Sequence, residues 1–174
     1  MSDRGTDSGG IALGRIAVGV LSVVGAIAVV LSTGLSVLEY QQLSGRVLVD
    51  LVVRFPLSYV GFPGVVAVFW FVVGAVLLVG HSLSVQAGAV AYLGAVVLNI
   101  GVVVAELLRV RPVFLWFVDP VTPLVAIPLQ LVQVAGVPLV TYPVEFYVTG
   151  VVGTAGTLLV GGYLGVRALL DATS

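Results

Sequence analysis

The chain has 174 residues, of which 60% are apolar and 9% charged, with a formal net charge of −1. A soluble domain carries about a quarter charged residues, so this chain has too little charge to solvate a globule, and lipid is the solvent that fits. The seven basic residues are all arginine and form no cluster, which argues against nucleic-acid binding. The lack of cysteine excludes disulfides, thiolate metal sites and thiol nucleophiles.

We read residues 1–174 as a single, all-α integral membrane domain, a polytopic transmembrane helical bundle, expected in the cell membrane with multiple passes. Residues 1–14 form a short polar amino-terminal tail. Uncharged runs then follow at Ile16–Leu38, Phe55–Gly80, Ser82–Ala105, Pro120–Val144 and Phe146–Val166, each near the 20 or so residues that cross the hydrocarbon. Valine and glycine abound in these runs, yet a backbone in lipid must satisfy its own hydrogen bonds, which favours helix. The short alternating segments of a barrel are absent from the sequence.

Between the first two runs, residues 43–55 predict an interfacial helix with Arg46, Asp50 and Arg54 four apart on one stripe, a solvated salt-bridge ladder. Pro56 stops it. His81, Ser82 and Ser84 join the second and third runs, the serines as caps. In the third run Tyr92, Asn99 and Glu106 recur every seven residues and share one face of a helix, with Ala87, Gly94, Gly101 and Ala105 opposite. A polar side chain in hydrocarbon points into a bundle, which makes Asn99 the leading site candidate. Glu106 is close enough in sequence to Arg109 for an ion pair at the helix end.

The fourth run carries Pro120, Pro123, Pro128, Pro138 and Pro143, each deleting a donor. Four spans are therefore clear, and the proline-broken segment is expected to cross as a fifth, kinked helix over about Leu124–Thr141. The alternative is a segment that enters and leaves the same face. Gln130 and Gln133 in it, together with Asn99, are candidates to line a polar path. Asp119 is read as a turn former, and no acidic residue is placed deep in a run. The last run repeats Thr149, Gly153, Thr157, Gly161 and Gly165 every fourth residue, a ridge of small residues for close helix packing. Packing within the chain is favoured over self-association.

With five crossings and the amino terminus outside, five of the seven arginines fall in the cytoplasm. Enzyme motifs are missing: there is one histidine, no H-E-x-x-H, no G-x-S-x-G and no phosphate-binding loop. No cofactor or metal is expected. The function expected is that of a non-enzymatic structural or accessory membrane subunit, whose partners are the lipid bilayer and other membrane proteins or itself, with a small transporter or channel as the alternative.

Overall fold

A computed structural model describes residues 7–45, 48–54, 56–79, 82–108, 118–136 and 142–173. Its described residues are helical with no strand: α1 (Asp7–Ser44), α2 (Leu48–Arg54), a short π-helical turn (Leu57–Gly61), α3 (Phe62–Val79), α4 (Ser82–Leu107), α5 (Thr122–Val134) and α6 (Tyr142–Thr173). Four of these are long and apolar enough to cross a membrane, with spans Leu13–Gln42, Phe62–Val79, Gln86–Ala105 and Val148–Arg167. Their outward faces carry bare valine and leucine, as at Val65, Val97 and Leu159, which are 69%, 69% and 74% exposed. Water would not tolerate such a surface, whereas lipid tails solvate it.

α1 starts at Asp7, inside the stretch read as a polar tail. Extending an existing helix by a turn is cheap next to nucleating one. The helix ends at Gly45, whose φ of 64° lies in the left-handed region that glycine enters without penalty; its amide bonds Gln41 O at 2.9 Å. On α2 the expected ladder appears as an exposed pair, Arg54 Nε to Asp50 Oδ1 at 2.8 Å, while Arg46 lies outside the described residues.

The direction of each helix follows from its close approaches to α1. A Cβ at Gly74 of α3 would lie 2.8 Å from Gly19 O, and one at Gly14 would lie 2.8 Å from the Tyr163 ring of α6. Ser22 bonds Tyr92 of α4. Gly19 also meets Leu78 and Gly74 meets Val23, so α3 runs antiparallel to α1; Gly25 meets Pro120, whose neighbour Asp119 bonds Thr157 and Asn99, so α6 runs antiparallel to α1 and α4 parallel to it. The core between them holds Val29, Trp70, Leu77, Tyr92 and Leu164.

α5 does not cross. Its 13 residues give a length of about 20 Å, against about 30 Å of hydrocarbon. It starts beside Gly25, where Pro120 sits, continues past Ser32 and Ser36 through Gln130, and ends where Val134 O receives Gln42 Nε2 at 3.4 Å. It thus follows the second half of α1 outward, reaching the face from which α6 starts. α4 ends at that face too, since Gly150 near the start of α6 packs on Val103 near the end of α4. Among the described residues, the chain from Val118 through α5 thus runs from the middle of the bundle back to the face where α4 ends and α6 starts. This corrects the expected fifth crossing: four helices span, and the proline-broken helix is a re-entrant half-helix.

Proline content explains the outcome. Pro123 occupies the first turn of α5, where its missing N–H costs nothing, but Pro128 lies inside the helix and leaves the carbonyl four residues back without its helical donor. Gly136 then ends the element at φ 82°, with its amide on Gln133 O at 2.9 Å. A backbone interrupted this often survives in a membrane only when protein covers it, and α1 and α6 flank α5 on two sides.

Candidate functional site

The tip of the re-entrant segment, Val118–Thr122, reaches the middle of the bundle. Its neighbours there are Gly25, Trp70, Asn99 and Thr157, each within about 6 Å of the midpoint of its own span by helix rise. Glycine makes the approach feasible. A Cβ at Gly25 would lie 2.5 Å from Pro120 O and 2.6 Å from Pro120 Cα, and one at Gly153 would lie 2.8 Å from Thr122 Cα. All three distances are shorter than real side chains allow, so the tip is clamped between two helix backbones.

Asp119 is the centre of this tip and is fully buried. Its Oδ1 accepts the amides of Val121 and Thr122, both at 2.8 Å, two of the donors that the start of α5 leaves open. The hydroxyl of Thr157 reaches the same oxygen at 2.9 Å. Oδ2 accepts the Thr122 hydroxyl at 2.7 Å and the Asn99 side-chain amide. Five neutral donors from α4, α6, the loop and the start of α5 thus meet one carboxyl group. Asp119 does form a turn, as expected, but it also lies level with the middle of the span-length helices, against the expectation that no acidic residue sits deep in a run. The sequence reading missed it because charged residues were used to delimit runs, which fixed Asp119 at a water edge.

Trp70 supports the tip from α3, donating Nε1 to Val118 O at 2.8 Å. Its ring is fully buried and packs 4.9 Å from that of Tyr92, while the flanking Phe69 and Phe71 stay exposed. Tyr92 itself meets the Ser22 hydroxyl at 2.9 Å, and Ser22 also donates to Val18 O at 2.8 Å.

A second polar contact fastens α5 to α1. Ser32 donates to Gln130 Oε1 at 2.6 Å, and Gln130 Nε2 donates to Ser36 Oγ at 2.7 Å, so both ends of a buried amide are satisfied. Gln133 is half-buried one turn further on. Asn99 and Gln130 are engaged in separate contacts, one at the tip and one along α1. Glu106 lies in the last turns of α4, and its side chain is outside the described residues, as are Arg109 and His81.

The small-residue ridge of α6 divides between two neighbours. Gly153 and the fully buried Thr157 meet the re-entrant tip, whereas Gly161 packs against α4, where a Cβ would lie 3.1 Å from Tyr92 Cβ. Gly165 meets nothing within 4 Å. On α4, the stripe opposite Asn99 faces outward: Ala87, Gly94 and Gly101 are exposed, and the two glycines have open space around them. Among the described residues no group of three His, Cys, Asp or Glu side chains is placed to hold a metal ion. Searches of protein-family models, curated proteins and solved structures return no match for this chain.

Proposed function

We propose that this chain is a non-enzymatic structural or accessory protein of the cell membrane, which presents a rigid bundle to lipid and to neighbouring membrane proteins. The observation that carries this reading is the mutual pairing of the mid-depth polar groups: Asp119 with Asn99, Thr122 and Thr157, Gln130 with Ser32 and Ser36, and Tyr92 with Ser22. Polar groups used in this way glue helices together rather than offer themselves to a substrate. The open stripe of Ala87, Gly94 and Gly101 is the face on which a neighbouring membrane helix would pack.

The second reading is a small transporter or channel, and the re-entrant tip favours it. Interrupted helices ending near the midplane are where transporters expose backbone groups to substrates and ions. Water access separates the two. Single cysteines replacing Asn99, Gln130 and Gln133, in a chain with no native cysteine, are probed in membranes with a water-soluble thiol reagent, with Val49→Cys on exposed α2 as the reactive control. The accessory reading expects the control to react and the three intramembrane positions to stay unmodified. Modification at Asn99 or Gln130 would transfer the case to transport.

A further inference from the structure

We propose that Tyr163, Arg167 and Arg15 form a binding site for a phosphate group at the membrane face where α1 starts and α6 ends, with Arg167 as its principal ligand. The inference needs the chain in a membrane but neither of the functional readings above. Its basis is a contact between the two helices. Gly14 has no side chain, and a Cβ there would lie 2.8 Å from the Tyr163 ring and 2.9 Å from its hydroxyl oxygen, so the ring lies against the α1 backbone next to Arg15. The guanidinium of Arg167, one turn further along α6, lies over the same ring at 5.7 Å from its centroid. One aromatic side chain thus joins two helices distant in sequence and brings the positions of both arginines to one place.

An arginine at the end of a span ordinarily snorkels to water on a flexible stem. Here the ring holds it. The cation–π contact engages the charge of Arg167 through the ring face and uses none of the five N–H donors, which lie in the guanidinium plane as a fork that matches phosphate. Both arginines are half-buried, and Tyr163 is 44% exposed, so a ligand reaches this place from outside the bundle.

Depth selects the ligand. Arg167 is the last residue of its span, and Arg15 lies two residues inside the start of its own, about 3 Å by helix rise. Both are level with the boundary of the hydrocarbon, next to the headgroup layer in which phospholipids carry their phosphates. The acidic residues of these two helix ends, Asp7 and Asp171, lie further toward water, about 12 Å beyond Arg15 and about 6 Å beyond Arg167 along the axes. At the depth of the phosphates the two arginines are thus the charged residues of α1 and α6. A basic pocket at this level suits an anionic headgroup. A soluble phosphate offers the same oxygens.

The test titrates phosphatidylglycerol, phosphatidylcholine and inorganic phosphate separately into the full chain in mild detergent while thermal unfolding is followed. Wild type is compared with Arg167→Gln, Arg15→Gln and Arg54→Gln, the last removing the same charge from an exposed pair on α2. The expected result is a rise in melting temperature that is larger with phosphatidylglycerol than with phosphatidylcholine. Half-saturation is expected to need about tenfold more lipid in Arg167→Gln, as loss of a charge-assisted hydrogen bond gives, with a smaller change in Arg15→Gln and none in Arg54→Gln. A rise with inorganic phosphate alone that Arg167→Gln weakens supports the site and identifies a soluble anion as its ligand. No rise with any probe, a rise that Arg167→Gln leaves unchanged, or an equal change in Arg54→Gln overturns the proposal. If Arg167→Gln cannot be purified, Arg167→Lys replaces it: charge without the planar fork is expected to weaken the response, and an unchanged response overturns the site.

Discussion

At the residue scale, the fold turns on two glycines that admit a loop into the centre of a helix bundle. Gly25 and Gly153 face Pro120 and Thr122 from opposite sides, and a single methyl at either position collides with backbone atoms that have nowhere to go. Gly25→Ala and Gly153→Ala are each expected to lower stability by about 1–3 kcal/mol, as overpacking does. Gly162→Ala is the matched control, since nothing lies within 4 Å of it, and there alanine is expected to gain up to about 1 kcal/mol by restricting the unfolded chain. Thermal unfolding of the purified protein in mild detergent reads the difference, and equal small effects at all three positions would detach the glycines from the clamp. The ridge containing Gly153 and Gly161 was legible in the sequence as a packing face. Its principal neighbour at Gly153, the start of a half-helix rather than a spanning helix, was not, because spacing along one helix carries no information about what approaches it.

At the element scale, α5 is a half-helix that propensity alone would not sustain. Its 13 residues include Pro123 and Pro128, so contacts with α1 and α6 must hold it. The Ser32–Gln130–Ser36 contact is the specific fastening. A double-mutant cycle between Ser32→Ala and Gln130→Ala is expected to give a coupling of about 0.6 kcal/mol, with about 1.7 as an upper bound, the range measured for interhelical hydrogen bonds in membranes. Zero coupling would leave α5 held by apolar packing alone. The apolar runs and their helical character were readable from composition, since charge-free stretches of span length admit few alternatives in lipid. Whether the fourth run crosses was not, because five prolines over Pro120–Val144 break a helix equally well on a path through the membrane or on a path back. The interior Trp70 was the available hint. A buried indole N–H needs an acceptor, and in the middle of a membrane such an acceptor comes from a side chain or an interrupted backbone, here Val118 O.

At the scale of the whole molecule, the re-entrant segment changes the parity of the chain. Five crossings would separate the start of α1 from the end of α6 across the membrane; four put both on one side, with the end of α5 and the start of α6 on the other. The close approach of Gly14 to Tyr163 ties the start of α1 to the last third of α6 and is incompatible with an odd number of crossings. Orientation loses its basis with the same step. Read in sequence, Arg46, Arg54, Arg109 and Arg111 belong to the connections of one face, and Arg4, Arg15 and Arg167 to the segments of the other, four against three where five crossings gave five against two. A positive-inside bias of one residue does not orient a protein, so adding arginine beside one terminus is expected to shift the population of orientations, whereas a strongly biased chain would resist. Parity is independent of that shift. Epitope tags at both termini, probed with protease before and after permeabilisation, are expected to be digested together or protected together in each population. A third tag inserted after Gly136, beyond the last turn of α5, is expected to behave oppositely to both. Digestion of one terminal tag with protection of the other in intact cells would restore the fifth crossing and remove Asp119 from the middle of the membrane.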